Sequence, residues 1–513
     1  MHTLKSFFKT IFGRFVIITL LIIFQIALLI YFGNYFMQYY YFRIAVIVLE
    51  VSFLIHIISK DEPSSYKLPW IMVILLFPVG GVIAYLLLGS TLLPRRKIKK
   101  IETAKMQMVN KVPKDEKAIQ ALMEDRLEFS QCNYIYQTTH LNPYSNTLIK
   151  YFDSGEGVID SMIRDMKKAQ KYIFIETFII SRGVVWDRIE KILLKKQAEG
   201  VEVRIMYDDV GSMKDLSMRF NKKLEKKGLK VCKFMPYLPL ISIVHNNRDH
   251  RKMTIIDGEV AYTGGFNLAD EYANLDSVLG DWKDSGIRLE GDGVNNMIEL
   301  FLGLWNAYYK NSDGEYTKYF PVRASIPGAS GYNQMFGAGP KPIYKENIGE
   351  NVYLNLINQS ADYVYITTPY LIVDRSMTRA LTNAARRGVD VRIITPHIPD
   401  KKIVFLMTKS SYHHLIESGV KIYEYTPGFM HAKNVISDGK TAVIGTINFD
   451  YRSFIHHFEC ACWIHDMPCI SDMTKDFQKT LKVSKMQTLN DSVIKNPFKR
   501  LLLVVLKLFA PLM

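Results

Sequence analysis

Apolar runs open the chain, and helical and alternating patterns fill the rest. Residues 15–36 are apolar and free of charge, longer than the roughly 20 residues that span a hydrocarbon core. The run exceeds a usual signal-peptide core and has no clear small-residue cleavage site. Residues 42–58 form a weaker run that carries Arg43, Glu50 and His56. Residues 68–88 form a strong third run, with Trp70 and Tyr85 near its ends as an aromatic belt would place them. Arg95, Arg96, Lys97, Lys99 and Lys100 follow it and mark a cytoplasmic face; Lys5, Lys9 and Arg14 ask the same of the N-terminus. Both clusters share a side only if the number of spans is even. This predicts that one run, the second by its charges, is tilted or re-entrant, and the denser cluster decides the side. The last apolar run, 501–513, contains Lys507 and is too short to span. It fits an interfacial helix and a helix packed on the protein's own core equally well.

Past residue 155 the pattern is read twice. A β-branched and aromatic run at 172–178, an amphipathic segment at 185–199 and a second run opening on Gly200 recur at 363–369, 375–387 and from Gly388. Each copy predicts strand, helix with a glycine stop, strand, in a largely buried sheet. Each then continues in kind. His250-Arg251-Lys252, a strand-like run, Asp257-Gly258, a second run and Gly264-Gly265-Phe266-Asn267 are matched by His431-Ala432-Lys433, Asp438-Gly439 and Gly445-Thr446-Ile447-Asn448. His431 lies 181 residues after His250, and Asn448 lies 181 after Asn267. The expected organisation is a membrane region at 1–94 with two or three hydrophobic helices and a basic, polar linker at 95–155. Two homologous α/β halves follow at 156–325 and 326–490, with motifs at 244–271 and 425–452, then an amphipathic segment at 491–513.

Charge adds a partner class. With 65 Lys and Arg against 50 Asp and Glu, the net charge of +15 points to a polyanion, and the apolar N-terminus selects a membrane over nucleic acid. The five cysteines are odd in number and form no C-x-x-C pair, so neither a disulfide framework nor a zinc site is expected. Cys460 and Cys462 alternate in an apolar run, as buried strand thiols do.

The repeated residues carry the candidate chemistry. A histidine and a lysine two apart at the start of a strand share one face. The ammonium suits the oxygens of a phosphate anion, and the neutral ring can attack phosphorus. Asn267 and Asn448 follow on the returning strand as hydrogen-bond donors to phosphate. Asp257 and Asp438 belong to the same motifs, but each precedes a glycine between two strand-like runs, which is a hairpin-turn signal. A histidine that acts on a phosphodiester needs a partner to hold its tautomer. Asp284 lies downstream of His250 and Glu459 downstream of His431. His456 and His457 read as strand residues with polar neighbours. Acidic residues do not cluster at metal-ligand spacing, so no metal and no cofactor are expected.

Both copies resemble the H-x-K-x4-D-x6-G-[GST]-x-N signature of the phospholipase D superfamily. The resemblance extends to the bacterial cardiolipin synthases through residues 247–252, 264–272, 368–370, 428–433 and 448–453, and through 77–81 and 85–89 in the membrane region. It covers roughly residues 40–513, and the first apolar run looks like an extension. That family usually has Asn where Asp249 and His457 stand here, and Arg where Lys283 stands. The resemblance implies two phospholipase D-like α/β halves facing each other across a pseudo-two-fold axis, preceded by transmembrane helices. It implies His250, Lys252, Asp257, His431, Lys433 and Asp438 as catalytic residues, with His250 as nucleophile and His431 as acid and base. The implied substrates are phosphatidylglycerol and other anionic phospholipids, at the cytoplasmic face of a bacterial cell membrane. Hydrolytic phospholipase D activity and transfer to another lipid alcohol are the alternatives.

Overall fold

A computed structural model describes residues 38–60, 64–86, 95–109, 111–124, 126–236, 247–309 and 316–510, besides a few positions before residue 38. The first apolar run, 15–36, therefore lies outside the described residues but for isolated positions. Helix α1 (Tyr40–Ser59) has 20 residues and is long and apolar enough to cross a membrane, the only such helix among the described residues. At 1.5 Å per residue it is about 30 Å long. The third run is broken instead of the second. It divides into α2 (Ser64–Leu76) and α3 (Pro78–Ala84) at Phe77. Pro78 lacks the N–H that a continuous helix requires, and its ring crowds the carbonyl four residues back. Gly81 then lies so close to α2 that a Cβ would fall 2.6 Å from the Val73 carbonyl oxygen. The second run, despite its charges, is a continuous helix, and the third is the interrupted one.

Two sheets follow. The first is built from β1 (Thr147–Phe152), β2 (Tyr172–Thr177), β3 (Glu202–Asp208), β4 (Lys230–Phe234), β5 (Met253–Ile256) and β6 (Val260–Gly264). A short β7 (Asp281–Lys283) precedes its last strand, β8 (Gly286–Gly291). Helix α4 (Val184–Ala198) crosses between the parallel β2 and β3, and α5 (Val294–Tyr308) follows β8. The second half contains β9 (Tyr332–Ala338), β10 (Tyr363–Thr367), β11 (Leu371–Ile372), β12 (Asp390–Pro396), β13 (Lys421–Tyr425) and β14 (Gly428–Met430). It continues through β15 (Asn434–Ser437), β16 (Thr441–Gly445), β17 (Phe449–Asp450), β18 (Glu459–His465) and β19 (Ser484–Met486). Its helices include α6 (Arg375–Arg386), which crosses from β10 to β12, and α7 (Lys402–Glu417). Helix α8 (Pro497–Phe509) ends the described chain.

The sheet orders are β4-β3-β2-β5-β6-β8-β1 and β19-β13-β12-β10-β15-β16-β18-β9. With the extra β19 set aside, they correspond strand for strand, so the repeat read along the chain is a repeat of topology. One core runs through both halves, from Phe174 and Leu289 through Phe301 and Trp305 of α5 to Met335, Val443 and Cys462. All five cysteines are buried and free. The linker predicted over 95–155 is mostly helical, and it ends in β1, the outer strand of the first sheet beside β8. That strand is six residues of mixed polarity, too weak a pattern to stand out from a polar linker.

Asp257 and Asp438 occupy matching turns. Both have positive φ, 55° and 52°, and each is followed by a glycine of positive φ. The Asp257 carboxylate accepts hydrogen bonds from the backbone N–H groups of Gln170, Lys171 and Tyr172 at 2.7–2.9 Å. Asp438 accepts the equivalent three from Ala361, Asp362 and Tyr363. Each aspartate ties a hairpin to the start of the neighbouring strand. Replacing either by Ala leaves three N–H groups without their acceptor and should lower stability by about 1–3 kcal/mol. The check is the urea or thermal midpoint together with turnover per folded molecule. Lower stability with parental turnover is the expected pair; parental stability with lost turnover would give these carboxylates a chemical role.

Candidate active site

The two histidines are delivered to one place by pairing between the halves. Strand β14 runs parallel to β7 of the first half, with Phe429 opposite Trp282 and Met430 opposite Lys283. The next residues, His431 and Asp284, therefore become neighbours, and the His431 N–H donates to the Lys283 carbonyl at 2.7 Å. The other half repeats the arrangement. Asp249 bridges Phe458 in parallel, and the His250 N–H donates to the Phe458 carbonyl at 2.9 Å, which brings His250 to Glu459.

Each carboxylate thus serves the histidine of the opposite half. Nδ1 of His431 lies 2.7 Å from Oδ2 of Asp284. Nδ1 of His250 lies 2.9 and 3.0 Å from the two Glu459 oxygens. With a fully buried carboxylate at that distance, the network assigns the proton to Nδ1 and leaves Nε2 as the free base on each ring; Lys433 Nζ, also 2.9 Å from Nδ1 of His431, then donates to the His431 carbonyl and not to the ring. The carboxylates are themselves held. Asp284 accepts the Ser285 N–H at 2.8 Å, and Glu459 accepts the Thr446 hydroxyl. Gly265, the counterpart of Thr446, has no room for a side chain, because a Cβ would fall 2.1 Å from an Asp284 oxygen. The two pairs are therefore alike in design and unlike in detail.

Both rings open into a cavity of about 630 Å³, within the usual range for ligand sites. Asn267, Asn448, Tyr272, Arg248 and Arg452 share its wall. Ile372, Val404, Met407 and Ala510 form an apolar flank. Phe178 packs edge-on against His250 with ring centres 5.0 Å apart, and Tyr272 does so against His431 at 5.2 Å. Lys252 and Lys433 are buried beside the rings, and their ammonium groups donate to the carbonyls of His250 and His431.

Four basic groups in one buried site are shifted toward their neutral forms. Burial, reinforced by Lys252 and Lys433, holds His250 well below the usual imidazole range. Burial and Lys433 hold His431 near about 4, despite the opposing pull of Asp284. Burial also lowers Lys252 to about 8 and Lys433 to about 7. Burial works against ionisation of Asp284, yet His431 and Lys433 hold its carboxyl below the ordinary range. An anion bound beside these groups would favour their charged forms.

Some sequence-predicted residues fall elsewhere. Asp257 and Asp438 are absent from the cavity wall; they sit at the far end of β5 and β15 from His250 and His431. Both ends of the Asn267 amide are taken, by the Ile179 N–H at 3.1 Å and the Tyr272 hydroxyl at 2.6 Å. Lys283 is paired to Asp476 at 2.8 Å. Asp249 lies 3.4 Å from Nε of Arg251, whose other arm meets Glu176 at 2.6 Å, so its charge is balanced away from His250. His457, read along the chain as a strand residue with polar neighbours, lines the cavity with its ring 5.5 Å from His250. Its departure from the family's Asn was the available signal. Arg248 stands two residues before His250, so the same period of two that pairs His250 with Lys252 would have found it. Donor atoms of His250, His457 and Glu459 lie within 4.8 Å of one another, a possible ligand set for a metal ion. Lys252 and Lys433 oppose a dication there, and the tautomer of His250 depends on the same Glu459.

Two facing α/β sheets that each bring a histidine and an asparagine to a shared cavity, with a lysine buried beside each histidine, fit a phosphatidyltransferase of the phospholipase D superfamily. The family model described as "Cardiolipin synthase, PLD-like domain" matches residues 162–278 and 353–481, and a phospholipase D-nuclease N-terminal model matches 48–90. A cardiolipin synthase of Oceanobacillus iheyensis is 33% identical over 86% of this chain and 92% of its own length. An uncharacterised protein of Streptococcus mutans is 40% identical over 90% of this chain and 99% of its own. The chain belongs to the cardiolipin synthase family. Among solved structures, phosphatidylserine synthase of Haemophilus influenzae shares the fold, with a TM-score of 0.54 at 15% identity over 74% of this chain and 96% of that one.

The crossed pairing is testable. Glu459→Gln should remove the downfield Nδ1 proton resonance of His250, and Asp284→Asn that of His431, in histidine-labelled protein. Each should lower kcat by about 10²–10⁴, the usual worth of a correctly held acid or base. If each change altered the histidine of its own half, the pairing would be wrong. The shift toward neutral forms is testable with sulfate, whose charge is constant near neutrality. Anion binding favours charged Lys433 and Lys252, so affinity should weaken as pH rises through about 7 and 8, and binding should take protons from the buffer. Calorimetry in buffers of different ionisation enthalpy measures both. Proton release, or affinity rising with pH, would contradict it.

Proposed function

We propose that this protein is a cardiolipin synthase that transfers the phosphatidyl group of one phosphatidylglycerol to the primary hydroxyl of another, giving cardiolipin and glycerol. The observation that carries the reading is one cavity with two crossed histidine–carboxylate pairs on a cationic floor and an apolar flank. That wall suits a phosphate headgroup still attached to its acyl chains. The names of the relatives support the same chemistry.

The reaction runs in two displacements. Nε2 of His250, the nucleophile by family analogy, attacks phosphorus as the bond to the leaving glycerol oxygen breaks. His431, protonated once the anionic lipid is bound, gives that oxygen its proton. The neutral His431 then takes the proton from the hydroxyl of the second phosphatidylglycerol. That oxygen attacks phosphorus, the P–N bond breaks and His250 recovers its lone pair. Lys252, Lys433 and Asn448 stabilise the charge on the five-coordinate phosphorus. Glu459 and Asp284 hold the two rings throughout, and Asn267 positions Tyr272 beside His431. The membrane region is multi-pass in this reading, with the catalytic halves on the cytoplasmic face beside Arg95, Arg96 and Lys97. Other anionic phospholipids fit the same site.

The test is a product assay in mild detergent with phosphatidylglycerol as the only lipid. Cardiolipin with free glycerol, unaffected by EDTA, is expected. His250→Ala and His431→Ala should each abolish turnover with the fold intact. Phosphatidic acid as the main product would make water the acceptor and the protein a hydrolase. No product with phosphatidylglycerol, but turnover when phosphatidylethanolamine is added, would change the acceptor.

A further inference from the structure

Helix α8 presents two different faces. Leu503 and Ala510 turn inward and pack with Met407 of α7. Phe498, Leu501 and Val504 turn outward and are 82%, 66% and 67% exposed. Lys499, Arg500 and Lys507 are also exposed. Beside α8 lies α2, which it contacts. Leu75 and Leu76 of α2 are exposed as well, as are Ile47, Val48 and Val51 of α1. The apolar outer face of α8 therefore belongs to the same part of the molecule as the candidate membrane span. The end of α8 borders the active site, since Ala510 at its C-cap lines the cavity together with Met407 of α7. At the first turn of α2, Tyr66 packs on Tyr451, another residue of that wall, with ring centres 5.8 Å apart.

Large apolar side chains left in water are unfavourable, and a helix that pairs such a face with Lys and Arg suits the boundary between headgroups and acyl chains. The basic groups attract lipid phosphates while the apolar face enters the hydrocarbon. We propose that α8 lies in the headgroup boundary of the bilayer and holds the Ala510–Met407 wall of the cavity there. A lipid headgroup then reaches the histidines while its acyl chains stay in the membrane. The inference concerns placement alone and holds for any acceptor, so a failure of the transferase reading would leave it standing.

The test uses the full chain in vesicles of phosphatidylglycerol and phosphatidylcholine. Leu501→Cys carries an environment-sensitive fluorophore; the native cysteines are buried. Val322→Cys, at a position 99% exposed and next to Pro321, which flanks the Gly258 turn at the far end of the first sheet, carries the same label as a reference for water. Lipids brominated about 5–10 Å below the headgroups should quench the label at 501 and spare that at 322, while aqueous iodide should do the reverse. Iodide quenching at 501 as strong as at 322 would overturn the proposal. So would protection of 501 from both quenchers, which would mean that the outer face is covered by protein, either residues 15–36 or a second copy of the chain. Retained turnover of the labelled variants confirms that they are folded, and quenching reports placement whatever the product of that turnover.

Discussion

Each imidazole in the cavity is held by a carboxylate from the other half, and both contacts depend on short parallel pairings between the halves. The stretch before His431 pairs with the stretch before Asp284, and the stretch before His250 pairs with the stretch before Glu459. A slip of one residue in either pairing would turn a carboxylate to the wrong face. The tautomer of each ring, the common cavity and the shared core across α5 depend on that register. It also explains why two nearly equivalent half-sites make one site: neither His250 nor His431 takes its carboxylate from its own half.

The pairing sits in a densely charged interior. Arg248, Arg251, Lys252, Lys433, Glu176, Asp208 and Asp249 are all buried. Buried ions are tolerated when each has a counter-ion or hydrogen bonds in good geometry. Arg251 meets Glu176 and Asp249, and Arg248 meets Asp208 at 3.4 Å. Burial pushes the Glu176 carboxyl well up despite Arg251. Lys252 and Lys433 are treated differently: they reach carbonyl oxygens, and burial lowers them to about 8 and about 7.

The departures from the family pattern have unequal weight in three dimensions. Asp249 adds a negative charge, but Arg251 absorbs it behind the histidine. Lys283 is occupied by Asp476. His457 alone faces the cavity, beside the ring of His250, and changes what a bound lipid meets there.

The sequence alone determined the two βαβ repeats, the crossover helices expected at 185–199 and 375–387, the spacing of the histidine–lysine motifs and the family. These are periodic or local signals, and burial on a sheet or a helix face imposes them directly on residue order. The weak strand β1 was hidden because its six residues alternate poorly. The broken third apolar run was misjudged because hydropathy counts Pro78 and Gly81 as small departures, whereas the backbone treats them as a stop and a close approach. Asp257 and Asp438 carry the motif but hold turns, since a motif gives a residue's place in the chain without saying which atom its side chain reaches. Tertiary structure decided that Asp284 serves His431 and that Glu459 serves His250. No local pattern encodes that exchange, because it arises from strand pairing between segments about 150–210 residues apart, which forms only when both halves are folded and packed.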